Sequence, residues 1–70
     1  MKRRFIYQDA KSDKFWDIDF EGTTQTVVYG KTGTAGREAV KEFATAEECT
    51  KESEKLIAQK LKKGYTELAE

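Results

Sequence analysis

The residues best equipped for chemistry lie in one stretch near the middle of the chain, Tyr29-Gly30-Lys31-Thr32-Gly33-Thr34-Ala35-Gly36-Arg37. Glycine leaves backbone N–H groups uncovered, Thr32 and Thr34 add hydroxyls, and Lys31 and Arg37 add positive charge. Amides, hydroxyls and cations together form a set that meets phosphate oxygens. Tyr29 adds an aromatic face on which a nucleotide base can stack. The established phosphate motifs do not fit. A nucleotide-hydrolysing P-loop needs glycine five positions before Gly30, where Gln25 stands, and a helix after the loop. The glycine spacing 30, 33, 36 is not G-x-G-x-x-G, and no strand–helix–strand unit surrounds it. Gly30-x-x-Gly33 matches the RNA-clamping loop of KH domains in letters only, because that loop joins two helices. A plainer role is also open to these glycines: each can supply the positive φ that a turn requires.

Other reactive side chains have simpler explanations. Trp16 alternates with Ile18 and Phe20, the pattern of a core aromatic. Asp17 and Asp19 lie two apart on a strand, about 7 Å between Cα atoms. Such a pair can do acid–base work or hold a hard cation, but on an alternating strand it reads as the solvated face. Its charge turns nucleic acid away from that side. Cys49 falls on the apolar stripe of a helix, where a thiol is an inert core group. The chain has no histidine and one cysteine. This excludes an imidazole base, a Ser-His-Asp triad, an ordinary zinc or haem site, an internal disulfide and a thiolate cluster. No catalytic residue, metal or cofactor is expected, and the chain does not read as an enzyme.

These residues must be held by a strand-like half and a helix-like half, which meet near Phe43. Residues 3–8 are rich in β-formers, and residues 9–13 carry turn chemistry. From Phe15 to Glu21 the chain alternates, with Trp16, Ile18 and Phe20 on one face and Asp17, Asp19 and Glu21 on the other. Glu21-Gly22-Thr23 signals a tight hairpin. Residues 24–31 form the next strand, whose adjacent Val27 and Val28 leave its inward face open. Residues 37–43 return from the glycine-rich loop as a fourth strand. Thr45 is a natural helix N-cap with Glu48 as its capping-box partner. Ala46, Cys49, Ser53, Leu56, Ile57 and Leu61 form one apolar stripe. Acidic residues load the first turns, Lys60, Lys62 and Lys63 load the last, and Gly64 closes the helix. Tyr65 can fold back onto the sheet as part of a short fifth strand. The expected fold is a two-layer α+β domain: an antiparallel four- or five-stranded sheet with one amphipathic helix on one face.

Seventy residues make one domain, spanning 1–70. Thirteen basic and thirteen acidic residues cancel, so binding to a polyanion has to come from a local patch. Two basic clusters stand out, Lys2-Arg3-Arg4 and Lys60, Lys62 and Lys63. They merge only if the first strand lies near the C-terminal end of the helix. The basic start is not followed by the apolar run of a signal peptide, and nothing approaches a membrane span of roughly 20 apolar residues. The chain therefore reads as cytoplasmic, without a membrane partner.

Phe15-Trp16, then Val28 through Gly36, then Lys41-x-Phe43 and Lys60-x-x-Lys63-Gly64-Tyr65 together resemble the WGR domain, over about residues 3 to 67. The resemblance implies an antiparallel sheet with one packed helix. In DNA-dependent poly(ADP-ribose) polymerases such a domain binds DNA near a strand break. The aromatic of its Trp-Gly-Arg tripeptide packs on the terminal nucleotide, and the arginine contacts DNA or neighbouring domains. Here the tripeptide reads Tyr29-Gly30-Lys31. By resemblance Tyr29 would stack and Lys31 would supply the basic contact, and the chain looks like the stand-alone bacterial proteins of this type. The expectation is weak, salt-sensitive nucleic-acid binding through Tyr29, Gly30, Lys31, Thr32, Gly33, Thr34, Gly36 and Arg37. The alternative is a protein-interaction module that never touches nucleic acid.

Overall fold

In the computed structural model, which describes residues 1–68, the chain runs β1 (Lys2–Gln8), β2 (Asp13–Glu21), β3 (Thr24–Lys31), β4 (Arg37–Glu42), α1 (Ala46–Lys62) and β5 (Thr66–Leu68). The strands form one antiparallel sheet in the order β4-β3-β2-β1-β5. The count is five rather than four, because the residues after Tyr65 pair with β1. The helix thus leaves one edge strand, β4, and returns the chain to the opposite edge.

Local chemistry sets each corner. Asp9 accepts hydrogen bonds from the backbone N–H groups of Lys11 (2.8 Å) and Ser12 (2.6 Å), which closes the first turn. Gly22, at φ 58°, makes the tight turn between β2 and β3. Thr45 caps α1 by accepting from the Glu48 N–H at 3.1 Å. Gly64 ends the helix at φ 104°, which brings Tyr65 against Tyr7 with ring centroids 5.5 Å apart.

The helix packs on β2 and β3. Beneath it Phe5, Trp16, Ile18, Phe20 and Val27 meet Cys49 and Ile57, with Phe43, Leu56 and Tyr65 at the margin. Burial of each large apolar side chain contributes about 1.5–3 kcal/mol. Trp16 and Cys49 are core residues, as their patterning predicts. The valine ambiguity resolves through register. Val27 stands opposite Ile18 and faces the helix, whereas Val28 stands opposite Asp17 on the uncovered face. Ala46 and Leu61, at the ends of the apolar stripe, stay exposed because the middle of α1 is what lies over the sheet.

One expectation fails. Asp17 is not a solvated carboxylate; it is 7% exposed. Arg4 stands directly opposite on β1 and donates through Nε and Nη2 to its two oxygens, each at 3.0 Å. The planar guanidinium matches a carboxylate on two prongs and covers it. Asp19 and Glu21 remain exposed.

Candidate functional site

Cross-strand register builds the site. On β2 and β3, Trp16 pairs with Tyr29, and Lys14 pairs with Lys31 directly opposite. On the far side of Tyr29 stands Arg37 of β4. All of these residues share the sheet face that carries the helix, because side chains two apart on a strand point the same way and Trp16 and Val27 lie under α1. The helix ends short of them, and its Lys60 reaches over the gap. Its ammonium lies 5.3 Å from the Trp16 ring centroid and 5.2 Å from that of Tyr65.

The result is an open groove of about 550 Å³. Trp16 and Val27 line its floor, Tyr29 and Gly30 one side, Tyr65 and Lys60 the other, and Lys14 and Lys31 its end. Tyr29 is 43% exposed, a large aromatic surface open to a ligand. Lys14 lies 5.2 Å from the Tyr7 ring centroid. Burial, and then the ammonium groups of Lys63 and Lys14, hold Lys60 below the ordinary lysine pKa. Among the described residues, none of Lys14, Lys31 and Lys60 has a carboxylate partner. The acid at the rim, Asp13, accepts instead from Gln8 Nε2 at 3.3 Å.

The N-terminal basic cluster behaves differently. Arg3 and Arg4 point to opposite faces of the sheet, and each is locked in a two-pronged carboxylate pair, Arg3 with Glu67 and Arg4 with Asp17. Arg3 borders a depression with Ile57, Ala58 and Leu61 of the helix, but its charge is matched by Glu67. The lysines of the helix end are joined instead by Lys14 and Lys31.

The residues singled out in the sequence divide into three groups. Tyr29, Lys31 and Arg37 converge on the helix face. Thr32, Gly33 and Thr34 form the turn beyond them, where Thr34 donates both its N–H (3.1 Å) and its hydroxyl (2.6 Å) to the Lys31 carbonyl. Thr32 donates its N–H to the Asp13 carbonyl at 2.9 Å. Gly30 and Gly36 have a packing reason. A Cβ on Gly36 would lie 2.7 Å from both the Phe15 ring and the Tyr29 carbonyl oxygen, and one on Gly30 would lie 2.9 Å from the Gly36 Cα. Lys14, Lys60 and Tyr65 complete the groove without having been expected there. The position of Lys14 follows from the β2–β3 register. That of Lys60 follows from where the helix stops.

Charge follows the faces of the sheet. On β2, β3 and β4 every basic residue (Lys14, Lys31, Arg37, Lys41) takes the helix-face parity. Every acidic residue (Asp13, Asp17, Asp19, Glu21, Glu38, Glu42) takes the other. Among the described residues, no cluster of side chains suited to a metal ion occurs, and no helix is long and apolar enough to cross a membrane.

A five-stranded antiparallel sheet, with one helix on one face and an aromatic–lysine groove at the end of that helix, defines a small α+β domain with an open binding face. The chain belongs to the WGR domain family, whose profile matches residues 1–70. It is 58% identical over 67 residues to the uncharacterized protein YfeS of Escherichia coli, covering 96% of this chain and 28% of that protein. Protein YehF of Escherichia coli is 46% identical over 67 residues, covering 96% of this chain and 24% of YehF. A crystal structure of a Bacteroides fragilis protein superposes with a TM-score of 0.95 at 55% identity, covering 99% of this chain and 20% of that one. The chain thus spans about a quarter of the length of the curated relatives it matches.

Proposed function

We propose that this chain is a non-catalytic module that binds nucleic acid, at a strand end or along exposed phosphates, through the groove beside Tyr29. Tyr29 stacks on a base, and Lys31 and Arg37 meet phosphate from either side of it. Lys14 and Lys60 extend the cationic surface, and the turn of Thr32, Gly33 and Thr34 flanks it. The observation that carries this reading is the convergence of three lysines without carboxylate partners. Lys14 and Lys31 are opposed across neighbouring strands, an arrangement that costs stability until an anion neutralises it. Lysine contacts phosphate as a point charge and lacks the two-pronged geometry of arginine. With zero net charge, the affinity for plain duplex is low at physiological salt. We place this work in the cytoplasm.

A second reading, docking on a protein partner, draws support from the uncovered sheet face. There Val40 is 59% exposed among acidic neighbours. The two readings separate on salt. Phosphate contacts release counterions, so nucleic-acid affinity falls steeply as salt rises.

The test is an NMR titration of labelled protein with a short DNA duplex, with and without a 5′ phosphate, at low and physiological salt. Amide shifts at residues 14, 29–37 and 60 that fade with salt are expected. Tyr29→Ala should lose about 1–3 kcal/mol of binding, and Tyr29→Phe should retain it. Absence of shifts at low salt removes the nucleic-acid reading.

A further inference from the structure

Lys60 stands apart from the other lysines of its helix. Lys51, Lys55 and Lys62 are exposed, whereas the Lys60 stem is half-buried and its ammonium rests against the rings of Trp16 and Tyr65. It also lies between two adjoining depressions. One is the groove of about 550 Å³; the other, of about 400 Å³, is bounded by Tyr7, Asp9, Lys14, Lys63 and Tyr65. Lys14 borders both. Burial and the two nearby ammonium groups favour the free amine at Lys60, the condition under which a lysine becomes a nucleophile. The same neighbours attract anions. A nucleophilic amine beside an anion cradle suits a reagent that carries an electrophilic carbon and a phosphate together.

We propose that Lys60 is an acylation site that takes its acyl group from an acyl phosphate held by the neighbouring lysines. The phosphoryl oxygens of the donor lie against Lys14 and Lys31, which presents the acyl carbonyl to the Lys60 Nζ. The lone pair of Nζ attacks the carbonyl carbon and forms the N–C bond. The tetrahedral adduct collapses, the C–O bond to phosphate breaks, and inorganic phosphate leaves with that electron pair. The surplus proton on nitrogen passes to solvent. No electron is gained or lost overall, and a neutral amide replaces an ammonium group. The modified groove holds one cation fewer, so acylation weakens whatever polyanion binds there. This deepens the phosphate reading of the same groove and adds to it a means of turning binding down.

The test uses the whole chain without nucleic acid. The protein is incubated with acetyl phosphate or, separately, with the uncharged donor N-hydroxysuccinimidyl acetate, and acetylation is followed lysine by lysine by mass spectrometry. With acetyl phosphate, Lys60 should run several-fold ahead of Lys51 and Lys55. That lead should exceed the one seen with the uncharged donor. In Lys14→Gln, an exposed substitution outside the core, the lead should shrink more with acetyl phosphate than with the uncharged donor. Labelling of Lys60 no faster than Lys51 and Lys55 overturns the proposal, and so do equal leads with the two donors. Because nucleic acid is absent throughout, failure here leaves the nucleic-acid reading intact, and a failed DNA titration leaves this result unchanged.

Discussion

Gly36 shows how closely single residues are set around the groove. It sits at φ 76° with the Phe15 ring on one side and the Tyr29 carbonyl on the other. Any Cβ there adds two clashes to a strained backbone. Gly36→Ala should therefore destabilise the domain by more than about 1 kcal/mol, measured by urea unfolding, and displace Tyr29. Gly33, at φ 90°, faces open space, so Gly33→Ala pays only the backbone strain and should cost less. Two carboxylates contribute to the acid limb of stability. Asp9 is held below the usual carboxylate range by the Lys11 N–H, the Tyr7 hydroxyl and the Ser12 N–H; Glu67 is held there by Arg3. Each binds its proton less readily folded than unfolded. Their contribution is therefore present above the ordinary carboxylate pKa, near about 4, and is lost as pH falls through the lowered folded values. The urea midpoint should be level from about pH 5 to 7 and drop below about pH 4. Asp9→Asn should flatten part of that drop.

Among the elements, α1 is tied to the sheet by one buried polar contact as well as by apolar packing. Gln25 Nε2 donates to Ser53 Oγ at 2.8 Å in the interior. Ser53→Ala strands that amide and should cost about 1–3 kcal/mol in chemical unfolding. Ser53→Ala combined with Gln25→Leu should recover part of the loss. The elements themselves were legible in the sequence because each carries its own local signal. The cap at Thr45, the stop at Gly64, the turn at Gly22 and the alternation around Trp16 all act within a few residues. The groove was only half legible. Tyr29, Lys31 and Arg37 are neighbours along one hairpin, and their chemistry can be read from the chain. Lys14 joins them through strand register, and Lys60 through the length and angle of a helix packed from elsewhere; neither is encoded in local spacing. Asp17 was misread for the same reason. Its cover is Arg4, thirteen residues away, and alternation records only the side of the strand on which a residue lies.

At the scale of the sheet, zero net charge conceals a segregation of charge between the two faces of β2, β3 and β4. The basic residues of β2, β3 and β4 lie on the helix face, Lys14 and Lys31 among them in the groove, while the acidic residues of these strands occupy the uncovered face. If nucleic acid enters the groove, Lys31→Glu should lower both the affinity and the slope of its logarithm against salt, by about 0.7–0.9 per lost phosphate contact. Glu38→Lys, on the other face, should leave that slope unchanged in fluorescence anisotropy. A reversed pattern would place the ligand on the acidic side. The same alternation governs how one copy meets another. β4 is an edge strand, exposed along its whole length, and such an edge invites a second sheet to extend it. Its sequence, Arg-Glu-Ala-Val-Lys-Glu, resists that extension by itself. In a twofold-symmetric antiparallel pairing centred on Ala39, Arg37 opposes Lys41; centred on Val40, Glu38 opposes Glu42. Shifted one residue further either way, Glu38 or Lys41 meets its own image. The strand is patterned to repel its twin, so two copies do not join into one sheet through β4.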